Sequence, residues 1–105
     1  MANTTKIQVS ATDNELYIIA VQWALSAEIG HIVSGNNNPV SYSVVPQSVL
    51  PPGQYTLVLV GINWGGPAAF DVTLTESTGN PINLKWSAPN APVGVVWTQA
   101  IAITV

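Results

Sequence analysis

The chain is 105 residues long, 48% hydrophobic and only 7% charged, with two lysines, no arginine, five acidic residues and a net charge of −3. Such a balance lacks the basic patch that nucleic acid or an anionic membrane surface demands, and the absence of cysteine rules out disulfides and thiolate metal sites. Charged residues usually make up about a quarter of a soluble domain, so the shortfall predicts that part of the apolar surface is covered by another copy of the chain.

No charge block, Gly/Ser tract or internal repeat divides the sequence, and residues 1–105 are expected to form a single domain. Met1 to Lys6 is polar and lacks the apolar core of a signal peptide. The expectation is synthesis in the cytoplasm or release by a non-classical route. No apolar run approaches the ~20 residues of a membrane-spanning helix.

In chain order, residues 5–11 alternate cleanly, with Ile7, Val9 and Ala11 against Lys6, Gln8 and Ser10. That pattern predicts a strand with one wet side. Thr12-Asp13-Asn14-Glu15 reads as a turn. A second strand is predicted over Leu16–Leu25, apolar on both faces: Tyr17, Ile19, Val21, Trp23 and Leu25 on one, Leu16, Ile18 and Ala20 on the other. Ser26 to His31 has room for one helical turn, weakened by Gly30. Asn36-Asn37-Asn38 lies in a polar loop before another alternating segment, 40–45.

Leu50-Pro51-Pro52-Gly53-Gln54-Tyr55-Thr56-Leu57 resembles the Pro-Gly-x-Tyr-x-hydrophobic lead-in to a strand found in immunoglobulin-like and related bacterial sandwich modules. The resemblance covers eight residues and implies a tyrosine whose hydroxyl bonds back to an upstream backbone group. It implies nothing about function. Residues 55–62 follow as a second strand with two apolar faces, and Ile62-Asn63-Trp64-Gly65-Gly66-Pro67 as a flexible reversal. Segments 69–75 and 81–87 alternate again and form a predicted hairpin around Thr78-Gly79-Asn80. The run from Val93 to Val105 is the third two-faced strand.

Together these predict an all-β fold, an antiparallel two-layer β-sandwich (jelly-roll or immunoglobulin-like) of about seven to eight strands. Each such strand buries one face, so a second apolar face needs its own cover. A subunit interface is the expected cover, with Leu16, Ile18, Ala20, Val58, Val60, Val96, Ala100 and Ala102 assigned to it. A closed barrel seam or overlying loops would be the alternative.

Catalytic chemistry is thinly supplied. His31 has only Ser34 and Glu28 nearby in sequence, and Asp13 with Glu15 fits turn chemistry better than a carboxylate pair or a calcium loop. No enzyme activity, cofactor or metal is expected. Recognition is better provided for, with four tryptophans, three tyrosines and nine asparagines. Flat aromatic faces beside neutral amides suit neutral carbohydrate. The expected ligand-binding residues are Trp64 as a stacking platform, with Asn63, Asn36, Asn37, Asn38 and Asn90 as hydrogen-bonding partners. Trp23, Trp86 and Trp97 are expected in the core or an interface. The functional expectation is a homo-oligomeric, lectin-like binding protein. A self-assembling fibre, shell or inclusion subunit is the alternative, and a small membrane-active toxin the second.

Overall fold

In a computed structural model, the described residues are 2–23, 25–35 and 40–105. They form seven antiparallel strands: β1 (Thr4–Gln22), β2 (Leu25–Ser34), β3 (Tyr42–Val44), β4 (Gln54–Asn63), β5 (Ala68–Glu76), β6 (Ile82–Ala88) and β7 (Gly94–Thr104). One 3-10 turn, Pro46–Ser48, follows β3. The strand order is β6-β5-β1-β4-β7, with β2 and β3 also paired to β1, and the sheet curls into a half-barrel.

β1 organises everything else. Its first part pairs with β5 and β3, placing Ile7 opposite Leu74 and Val44. Its second part pairs with β2 and β4, placing Tyr17 opposite His31 and Val60. Thr12 to Glu15, expected to be a turn, is instead the passage of one continuous strand between these two sets of partners. Irregularities near Thr4–Lys6 and Val9–Ala11 let the strand coil as it crosses. The chain turns back only after Gln22, which pairs with Leu25. The helical turn considered for 26–31 is strand β2, held by its ladder to β1.

The alternating segments behave as their pattern dictates. Ile7, Val9, Phe70, Val72 and Leu74 are buried, and Ile82, Leu84 and Trp86 pack half-buried against them. β5 and β6 form the expected hairpin. Across the curl, the Phe70 ring stacks on Trp97 of β7 at 5.4 Å between centroids and on Trp86 of β6 at 6.3 Å. Trp86 and Trp97 therefore do belong with the core, whereas Trp23 is 96% exposed at the β1–β2 reversal.

Tyr55 donates its hydroxyl to the Pro51 carbonyl at 2.7 Å, the upstream bond that the Pro-Gly-x-Tyr segment implied. Paired backbone bonds of 2.8 Å between Gly53 and Val105 fasten the end of the chain beside it.

The two-faced strands differ from expectation in phase. Leu16, Ile18 and Ala20 were assigned to a subunit interface, but all three are fully buried in the core of the single chain. Pairing with β4 turns that side inward, and Tyr17, Ile19 and Val21 face outward instead. Val96 is also displaced. It sits at the register shift near Gly61/Ile62 and packs against the core. Val58 and Val60 are half-buried and Ala100 and Ala102 exposed. They do share the outer face with Ile19, since Ile19, Val58 and Ala100 stand opposite one another in a single row.

Candidate functional site

At one end of that outer face, aromatic and ionisable side chains from β1, from β2 and from the reversal after β4 converge. The β1–β2 register sets Tyr17 opposite His31, and their rings stack at 4.2 Å with an interplanar angle of 7°. His31 Nε2 lies 2.6 Å from Glu15 Oε2, to which the Tyr17 hydroxyl also donates at 3.3 Å. From the reversal after β4, the Trp64 indole N–H donates to the other oxygen, Glu15 Oε1, at 3.0 Å. Glu15 thus receives three side-chain partners.

The network continues into the backbone. The Trp64 amide donates to Asn14 Oδ1 at 2.7 Å, and the Asn14 amide donates to Asp13 Oδ1 at 2.6 Å. Trp64 is anchored at both its main chain and its ring nitrogen, yet 60% of its surface is exposed. Such anchoring removes rotamer freedom before any ligand arrives.

Electrostatics follow from these contacts. The hydrogen bonds from His31 and then Trp64 hold the Glu15 carboxyl below the usual glutamate range, against the opposing effect of burial. Burial, with the Glu15 charge adding to it, pushes the Tyr17 phenol up. Asp13 is only 5% exposed, and burial raises it despite the Asn14 bond. Asp13 also lines an open cavity of about 330 Å³ whose other walls include Ala69 and Ser87. That is at the small end of the range for ligand pockets.

The expected ligand residues fare unequally. Asn63 is completely buried. Its amide donates to the Gly66 and Ala91 carbonyls at 3.1 and 3.0 Å and its oxygen accepts from the Gly65 N–H at 3.3 Å. Every polar atom of Asn63 is spent on tying the 63–67 reversal to residue 91, so it shapes the platform instead of contacting a ligand. Asn90 is exposed on the neighbouring connection. Asn36, Asn37 and Asn38 lie outside the described residues.

Sequence reasoning passed over Glu15 and Tyr17 as site residues and treated His31 as an isolated turn residue. The Gln22–Leu25 pair alone would align 17 with 30, and it is the register irregularity near Ile18/Ile19 that brings Tyr17 opposite His31. Among the described residues no cluster of His, Asp and Glu could hold a metal ion. Among the described residues, no serine or threonine hydroxyl is hydrogen-bonded to the His31–Glu15 pair.

Comparison with protein-family models, with curated proteins and with solved structures finds no match to this chain.

Proposed function

We propose that this chain is a non-enzymatic, homo-oligomeric binding protein that recognises neutral carbohydrate in a lectin-like manner, its curled sheet serving as a two-layer β-sandwich. The observation that carries this reading is Trp64: a large indole face, exposed by 60%, whose only ring donor is already committed to Glu15. What remains for a ligand is a fixed apolar plane. The axial C–H face of a sugar ring complements such a plane. Exposed Asn90 offers a neutral amide nearby in sequence to the Ala91 carbonyl that Asn63 grips.

Self-association is supported by the outer row of Ile19, Val58 and Ala100, apolar and without a covering element among the described residues. Repeating a weak site in one particle raises avidity by a factor of about 10²–10⁴. A glycan array probed with wild type and with Trp64→Ala tests the reading, run on samples whose mass is known from light scattering. Binding of at least one neutral glycan that Trp64→Ala abolishes is the expected result. Silence across all neutral glycans overturns it.

The alternative of a self-assembling structural subunit is favoured by one feature, the large share of sheet edge left open: β6 and β7 each pair with one strand only. Sedimentation separates the two, since an open edge-to-edge assembly grows with concentration and a closed oligomer does not.

A further inference from the structure

Four strands of this sheet have a free edge, and three of them carry a device that discourages pairing with another chain. β3 is three residues long. β2 carries Glu28 and a register irregularity opposite Ile18/Ile19. β6 carries Lys85 and is bracketed by Pro81 and Pro89. β7 alone is long and unprotected: eleven residues, Gly94–Thr104, with no charge and no proline, paired with β4 on one side only.

We infer that β7 is a dimerisation strand, pairing antiparallel with β7 of a second copy about a two-fold axis. This rests on the self-association part of the function proposed above and names its mode. The occupant follows from the chemistry of the edge. Between Val95 and Ile103, the N–H and C=O groups on the edge away from β4 match those of another extended backbone. Across a two-fold axis the residue on the axis meets its own copy and its neighbours meet one another in exchanged pairs, so a charge at the centre of the strand would face its own like charge. A strand that serves an acidic or basic foreign peptide would carry the opposite sign, whereas β7 is neutral throughout. Its outward residues Thr98, Ala100 and Ala102 are exposed, and each is small enough to stand on the axis against its own copy, or opposite one of the others, without crowding. Two copies joined this way make one sheet in the order β2-β1-β4-β7-β7-β4-β1-β2, and the outer apolar rows run on without a break.

Sedimentation velocity at micromolar concentration tests this with Ala100→Lys and, as a comparison on the same outer face, Val58→Lys. Circular dichroism of each variant confirms that the fold persists. The expected outcome is a dimer, or an even-numbered oligomer, that falls to half its mass or less in Ala100→Lys. Because the chain has no cysteine, Thr98→Cys, Ala100→Cys and Ala102→Cys give a second measurement that leaves the charge unchanged. Oxidation is expected to cross-link the copies at the position nearest the axis and at no exposed control site such as Ser10→Cys. An assembly untouched by Ala100→Lys but broken by Val58→Lys, with no β7 cross-link, overturns the strand pairing and leaves self-association standing. A monomeric wild type overturns both. Capture of an added uncharged peptide along β7 by a monomeric chain would equally overturn it.

Discussion

Gly61 on β4 lies flat against the ring of Phe70 on β5: a methyl group at position 61 would come within 2.7 Å of Phe70 Cζ. No side chain other than hydrogen leaves room for that ring, which in turn stacks on Trp97 and Trp86. Gly61→Ala is expected to cost about 1–3 kcal/mol by overpacking. Urea unfolding of the variant, and of the same variant with Phe70→Leu, checks this. The second change should recover part of the loss.

The Tyr55 hydroxyl donates to the Pro51 carbonyl, so Tyr55→Phe removes that bond and leaves the ring's packing in place. The expected loss is about 1 kcal/mol. It should appear as a lower urea midpoint at unchanged m-value.

Asn63→Ala removes from a completely buried position the amide that the Gly66 and Ala91 carbonyls accept from. A loss of about 1–3 kcal/mol is expected from equilibrium unfolding. The reversal that carries Trp64 should loosen with it, read as weaker glycan binding at a temperature where the fold is still intact.

Glu15 gives the protein a pH signature. Its carboxyl sits below the ordinary range in the folded chain because of His31 and Trp64. A depressed acid stabilises the fold above the unfolded value of about 4.3 and loses that contribution as pH falls through the folded value. Glu15→Gln should therefore be less stable than wild type at pH 7, with the gap closing below about pH 4. Thermal melts of both proteins across that range check the sign.

Asp13 is expected to behave in the opposite way. Burial raises its carboxyl, so charging it at neutral pH opposes folding, and that penalty fades as pH falls through the raised value. Asp13→Asn should melt at or above the wild-type temperature at pH 7 and converge with it in acid. A marked loss of stability at pH 7 would contradict this account.

Much of the fold was legible because four segments have one wet face. In 69–75 the alternation of Phe70, Val72 and Leu74 with Asp71, Thr73 and Thr75 leaves one solution, and the chain adopts it. Residues 16–22 were not legible in that way. Both faces are apolar, so local pattern is silent on phase, and only the β4 partner decides that Leu16, Ile18 and Ala20 turn inward. Asp13, Asn14 and Glu15 are turn formers by chemistry, yet pairing of Asp13 with Ala69 and Glu15 with Ile62 holds the strand straight through them. The stacked Tyr17 and His31 depend on the Gln22–Leu25 pair and on the irregularity near Ile18/Ile19, and the sequence between β1 and β2 lacks the usual Asn-Gly or Gly-containing signal. Trp64 stood out from sequence because two glycines follow it, but its anchorage on Glu15 needed the register of three strands.

β1 precedes in the chain every strand with which it pairs, and its register sets Thr4 opposite Glu76. A ribosome therefore releases the central strand long before β5 exists to meet it. Closing such distant pairs is slow, and a greasy ribbon waiting alone invites the wrong neighbour. Between Gln22 and Glu76 the second half of β1 finds β2 at once, while its first half waits for β3 and β5 and is open to non-native pairing.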